Sequence, residues 1–280
     1  MQRLQRIAMQ LIPRSTTTYF LGKFSRMRLS RKVIPWYVRK YQINVWELDR
    51  KVEDYPNLHS FFCRSLHSFA RPLAKEGLVS PVDGLVTSTG LIDDQQQFEA
   101  KGQIYSLFNL LHDEDLAHRL TGGQFWVIYL SPRDYHRIHI PYSGLWVSHR
   151  HIPGHLYPVN SLGEKMTSLL FAKNERVVTE FRVNDQHFYV LVSIGAFGVG
   201  SVRLRHMPRM HPFRHRFLHH SESLFQGAVE ELKGEEFGRF ELGSTVILLT
   251  SPGFVVNNLQ TVGQRVKMGS VLANVGIGNR

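Results

Sequence analysis

The chain of 280 residues is 42% hydrophobic and carries a formal net charge of +11, enough apolar material for one large core or two modest ones and too much for a disordered chain. Its single cysteine, Cys63, excludes an intrachain disulfide framework and a multi-cysteine zinc site, fits a reducing compartment, and reads as a small buried hydrophobe. The charge is concentrated: residues 1 to 40 hold ten Lys or Arg and no Asp or Glu, against 24 basic and 23 acidic residues over 41 to 280, so the body is nearly neutral and a nucleic-acid partner is not expected.

In chain order, Leu4, Ile7, Ala8 and Leu11 fall at i, i+3, i+4 and i+7 with Arg3 and Arg6 elsewhere on the wheel and Pro13 beyond, which predicts a short amphipathic helix. Tyr19, Phe20, Phe24 and Met27 follow among Lys23, Arg26, Arg28, Arg31 and Lys32, and then Trp36, Tyr37, Tyr41 and Trp46. Basic, aromatic and amphipathic character together predict a segment, residues 1 to 50, that lies in a membrane interface and is drawn to anionic phospholipid. An Arg-rich transit peptide or a basic helix packed on the core would share these features. No run of about 18 apolar residues is present to span a bilayer.

From about Val79 the texture changes to short apolar runs separated by Gly, Pro, Asn and Asp, including Phe125–Leu130, Phe188–Val192 and Val246–Leu249. These predict strands, and Ser106–Leu120 a helix. The expected class is α+β, with a β-rich barrel- or sandwich-like core and N-terminal amphipathic helices. Gly263, Val266, Gly269 and Leu272 have the look of a barrel hairpin. The stretch Arg203 to His220, with five Arg, five His and two Pro, reads as a mobile basic loop and not as a metal site, because no carboxylate or cysteine is interleaved.

Three places carry candidate chemistry. In Leu242-Gly243-Ser244-Thr245, a glycine permits unusual dihedrals at which the next hydroxyl reaches the preceding carbonyl carbon, although Gly-Ser before a strand is also an ordinary turn. In Ser131 to Pro141, His136 and His139 beside Asp134 fit acid/base work, metal ligation or a structural role. In Ser80-Pro81-Val82-Asp83-Gly84, Asp-Gly is a turn signal.

Taken together, the motifs resemble the phosphatidylserine decarboxylases. Phe61-Phe62-Cys63-Arg64 matches an FFxR signature and Pro81-Val82-Asp83-Gly84 a PxDG signature. Lys101-Gly102 with Tyr105-Ser106, Arg133 to His139, Lys173 to Val177, Leu242 to Thr245 and Lys267-Met268-Gly269 follow in family order. The similarity runs from about residue 59 to 272, and its weight lies in the ordered co-occurrence. It implies a catalytic domain, 51 to 280, that cuts itself between Gly243 and Ser244 into chains 1–243 and 244–280, which remain together as a heterodimer. It also implies a triad in which Asp83 orients His139, His139 takes the proton of Ser244, and Ser244 attacks the carbonyl of Gly243. Ser244 would then become a pyruvoyl group, the covalent cofactor, which forms a Schiff base with phosphatidylserine, releases CO2 and leaves phosphatidylethanolamine. His136 is assigned to decarboxylation, and no metal is implied. Association with the cytoplasmic face of a bacterial inner membrane, or alternatively the mitochondrial inner membrane, is expected. A zinc hydrolase using Asp83, His136 and His139, and a non-catalytic basic adaptor, are the competing readings; neither accounts for the ordered motifs.

Overall fold

A computed structural model describes residues 21–159, 167–195, 202–205, 223–241 and 244–276. The predicted helix over Leu4–Leu11, most of the Arg/His-rich stretch and Leu242-Gly243 lie outside the described residues.

The apolar runs become strands of an eight-stranded antiparallel sheet. Its spatial order is Ser223–Glu231, Gly144–Ile152, Arg176–Arg182, Phe188–Gly195, Ser244–Thr250, Gln124–Leu130, Gly84–Leu91 and Arg265–Val266. Side chains alternate between its faces, as strand geometry requires. Trp126, Ile128, Val246, Leu248, Tyr189 and Leu191 point to one apolar cluster. Their neighbours Phe125, Val127, Ile247, Leu249, Val190 and Val192 point to another. Both faces are covered, which is why these central strands read as continuous hydrophobic runs and not as alternating ones. Each fully buried aliphatic side chain contributes roughly 1.5–3 kcal/mol relative to exposure.

The first face packs against two three-stranded antiparallel sheets, a sandwich arrangement. One contains Val202–Leu204, Glu236–Phe240 and Arg137–His139; the other contains Leu78–Val79, Val271–Val275 and Val255–Asn258. The second face is covered by the hairpin Gln97–Ala100/Gln103–Ser106 and by two short helices. The fold is therefore α+β, as expected, with two local differences. The helix predicted over Ser106–Leu120 is two helices, Leu107–Leu111 and Glu114–Arg119, because His112 adopts a left-handed conformation and Asp113 caps the second, accepting a hydrogen bond from the Leu116 amide at 3.0 Å. Likewise Arg265–Val266 and Val271–Val275 do not pair with each other but join different sheets.

A third cluster belongs to the N-terminal region. Ile34, Tyr37, Ile43 and Leu48 bury themselves with Tyr55, Phe61, Phe62 and Cys63, so this core takes residues from both sides of position 50. The helix Ile34–Tyr41 carries Pro35 in its first turn, where proline fits, and ends at left-handed Gln42. Trp36 remains half exposed under the ammonium of Lys40, which sits 4.5 Å from its ring centroid. No helix among the described residues is long and apolar enough to cross a membrane.

Candidate active site

Ser244 opens the strand STVILLT, in which every residue is buried, and pairs with Gly195 on one side and Leu130 on the other. A serine in the middle of a sheet is thereby held rigidly with no exposed surface. Beyond Leu130 the chain folds into a turn that Asp134 fixes. Its carboxylate accepts from the Ser131 amide at 2.7 Å and from the Ser131 hydroxyl at 2.6 Å, while its own amide donates back to the Ser131 carbonyl at 2.9 Å. This turn returns His136 to Ser244.

The His136 ring spans two contacts, 3.1 Å from Nε2 to the Ser131 carbonyl and 3.1 Å from Nδ1 to Ser244 Oγ. A carbonyl only accepts, so Nε2 carries the proton and Nδ1 presents its lone pair to the serine hydroxyl. Burial, with the nearby Arg64 charge, pushes the His136 pKa down to about 3, which keeps the imidazole neutral and able to receive a proton.

His139 ends the strand Arg137–His139 with the opposite tautomer. Its Nδ1 donates to the Gly234 carbonyl at 2.8 Å, and its Nε2 accepts from the Tyr135 hydroxyl at 3.1 Å. Burial lowers its pKa as well, while the hydrogen bond to Gly234, the Glu236 charge and, least, the Asp83 charge act in the other direction. Asp83 is gripped by Arg71, whose Nε lies 2.8 and 3.1 Å from the two carboxylate oxygens, and accepts from the Met268 amide at 2.8 Å. Arg71 also reaches Glu47 at 2.8 Å. Gly84 follows Asp83 because any Cβ there would lie 2.6 Å from the Tyr129 carbonyl; the Asp-Gly pair marks close strand approach as well as a bend.

The structure thus brings His136 to Ser244 and leaves His139 and Asp83 in an adjoining cluster with Tyr135 and Arg71. The resemblance implied that His139, oriented by Asp83, takes the Ser244 proton and that His136 serves decarboxylation; here His136 holds the hydroxyl, and Asp83 and His139 are each engaged by other groups. The cause is local. His136 leaves the turn before the strand begins, and three residues on His139 faces the other way. No three His, Cys, Asp or Glu side chains that could hold a metal ion come together among the described residues, so Asp83, His136 and His139 do not form such a group.

Sequence reasoning assigned no role to Arg71, Tyr135 or Thr245, and none beyond a motif match to Phe62 and Arg64. Tyr135 lay inside the Arg133–His139 motif and Thr245 inside Leu242–Thr245, but Arg71 lay in no motif, and spacing carried no sign of it. Thr245 Oγ1 is buried beside Ser244 without a hydrogen-bond partner. Glu241, two residues before Gly243, is held by Arg26 at 2.6 Å and lies 3.7 Å from His59, so the N-terminal region anchors the chain entering the Gly-Ser bond.

Fold and site together define an α+β protein with a buried, hydrogen-bonded serine–histidine pair at the start of a central strand. The phosphatidylserine decarboxylase family model matches residues 58–274. A phosphatidylserine decarboxylase proenzyme of Brevibacillus brevis is 40% identical over 241 residues, covering 85% of each chain. One of Chromobacterium violaceum is 37% identical over 279 residues, 98% of this chain and 99% of its own. A third, from Methylobacillus flagellatus, is 39% identical over 249 residues. The chain belongs to the phosphatidylserine decarboxylase family.

Proposed function

We propose that this chain decarboxylates phosphatidylserine to phosphatidylethanolamine with a pyruvoyl group that it makes from its own Ser244. The observation that carries the reading is the 3.1 Å contact between Ser244 Oγ and the unprotonated Nδ1 of a buried, neutral His136. A serine hydroxyl is a weak nucleophile until such a base takes its proton. Proton transfer to the histidine lets Oγ add to the Gly243 carbonyl carbon; the bond from that carbon to the Ser244 nitrogen then breaks as the histidine returns the proton to the nitrogen, and the amide becomes an ester. Loss of the Ser244 Cα proton then breaks the Cβ–O bond and releases chain 1–243 with a C-terminal carboxylate. The remaining unsaturated terminus takes up water and loses ammonia, leaving a ketone at the start of 244–280.

Ser244 is fully buried, so a ketone formed there would be closed to bulk water. Such a ketone supplies an electron sink for the pair released when a carboxylate bonded to an amine-bearing carbon leaves as CO2. The chain's residues hold and protonate: His136 lies against the reacting position, and two further hydrogen-bonded pairs, Tyr135 with His139 and Arg71 with Asp83, lie in the adjoining cluster.

A second division of labour has its own support. The family resemblance gives the Ser244 proton to His139, oriented by Asp83, and reserves His136 for decarboxylation. In the structure His139 Nε2 is likewise unprotonated, and the Asp83 charge favours its protonated form. It would have to exchange Tyr135 for Ser244.

The lipid substrate is to be reached as a peripheral membrane protein, on the cytoplasmic face of a bacterial inner membrane. Support comes from Phe24, Met27, Leu29 and Trp36, exposed among the basic residues of the N-terminal region. The whole reading is tested by the denatured mass of the purified protein together with CO2 release from carboxyl-labelled phosphatidylserine. Two fragments of 243 and 37 residues, the smaller with a blocked amino terminus, and labelled CO2 are expected. An intact, inactive chain refutes it.

A further inference from the structure

Arg64 stands at the edge of the site with one arm unused. It is 3% exposed. Its Nη2 donates to the carbonyls of Arg133 and Asp134, each at 2.7 Å, and so holds the turn that carries His136. Its Nη1 is buried with no hydrogen-bond partner. Buried donors nearly always find one, and a charged donor left unpaired is the costliest kind to leave. Arg64 forms no ion pair with a carboxylate among the described residues.

This arginine lines a cleft of about 360 Å³ that also exposes Asp83, Tyr135, Arg133, Arg265 and Lys267. Five of the lining residues are Lys or Arg and three are Asp or Glu. All three carboxylates already have cations: Arg71 for Asp83, Arg265 for Asp134, and Arg71 with Lys267 for Glu47. The surplus is positive. Beside the cleft, next to its lining residue Glu47, Trp46 is 86% exposed, and Phe69 on the neighbouring loop is 88% exposed, the loop being joined by the His67 amide to the Glu47 carbonyl at 3.0 Å. An anionic group attached to an apolar body matches such a surface.

Within the proposed decarboxylation the substrate offers two anions, a carboxylate and a phosphodiester. A guanidinium on the carboxylate would stabilise the ground-state charge that must disperse as CO2 departs, opposing the reaction. The phosphodiester keeps its charge throughout, so binding it anchors substrate without that penalty. We propose that Arg64, which lines this cleft and has its Nη1 unpartnered, binds the phosphodiester of the phospholipid headgroup while Nη2 holds the turn of His136. The inference rests on the decarboxylase reading.

The test is inhibition of phosphatidylserine decarboxylation by three soluble probes. Glycerophosphoethanolamine carries the phosphodiester, ethanolamine the amine alone, and O-methylserine the amine and carboxylate. In the wild-type protein glycerophosphoethanolamine should inhibit at concentrations at which ethanolamine does not. In Arg64→Lys, which keeps the charge but loses the planar fork, its inhibition constant should rise about tenfold while that of O-methylserine moves little. Equal inhibition by glycerophosphoethanolamine and ethanolamine in the wild type overturns the proposal even if the variant does not fold. So does an unchanged constant for glycerophosphoethanolamine in the variant, or a loss confined to O-methylserine, which would place the carboxylate on Arg64. A wild-type protein that releases no CO2 overturns the functional reading itself, a result distinct from all of these.

Discussion

Phe62 lies flat against the imidazole of His136, their centroids 4.0 Å apart and their planes inclined by 28°. With Nε2 tied to the Ser131 carbonyl, the phenyl ring leaves the imidazole one orientation, and in it Nδ1 meets Ser244. The FFxR stretch therefore acts on the nucleophile pair from a separate helix, Leu58–Phe62. Phe62→Ala should cost about 3–5 kcal/mol of stability through the cavity it leaves and slow self-cleavage. Phe62→Leu should recover most of the stability and less of the rate. Urea denaturation and the fraction of full-length chain over time measure the two effects, and equal recovery of both would make Phe62 a packing residue alone.

The proposed self-cleavage requires the Ser244 hydroxyl, because without it no ester forms. Ser244→Ala should accumulate as intact chain on a denaturing gel, and normal processing of that variant would sink the mechanism.

The two histidines separate in the same assay. If His136 takes the serine proton, His136→Ala stalls processing by at least a hundredfold, the usual range for a lost general base, whereas His139→Ala cleaves more slowly but to completion. The reverse pattern assigns the step to His139 and Asp83. It would mean that His139 exchanges Tyr135 for Ser244 before reaction.

The depressed pKa of His136 has a definite sign. The unfolded chain, with a histidine near 6.5, binds more protons than the folded one between that value and about 3, so stability falls as pH drops through this window. Between pH 7 and pH 5 this single group should remove on the order of 2 kcal/mol. The comparison is made by urea denaturation of Ser244→Ala, which stays in one piece. Adding His136→Gln should flatten the dependence, and an unchanged slope would show that the imidazole is protonated in the folded state.

Vesicle binding should require anionic lipid and weaken with salt, since surface charges are screened over about 8 Å at physiological ionic strength. Replacing exposed Met27, Leu29 and Trp36 with serine should lower recovery on vesicles several-fold and leave the thermal midpoint nearly unchanged. Deleting residues 1 to 40 is the poorer test, because Ile34 and Tyr37 are buried in the third core and Tyr37 Oη donates to the Pro132 carbonyl at 3.3 Å. Equal recovery on neutral and anionic vesicles would remove the electrostatic component.

Much of this protein was determined by the sequence alone. The runs around Phe125, Phe188 and Val246 declared themselves as strands because buried central strands must be apolar on both faces, a local property. Gly243-Ser244, Asp83 and the two histidines stood out because they fall in motifs whose order resembles the phosphatidylserine decarboxylases; by residue type alone each also fitted a turn or a structural role. The break between Leu111 and Glu114 was less visible, since a left-handed His112 depends on backbone geometry that periodicity averages over. Partners across the chain were not visible at all. That His136 meets a serine 108 positions away, that Arg71 holds Asp83, and that Tyr37 turns inward while Trp36 stays at the surface were decided by the packing of turn, sheet and N-terminal core, because hydrogen bonds and burial depend on distance in space, which position along the chain does not specify.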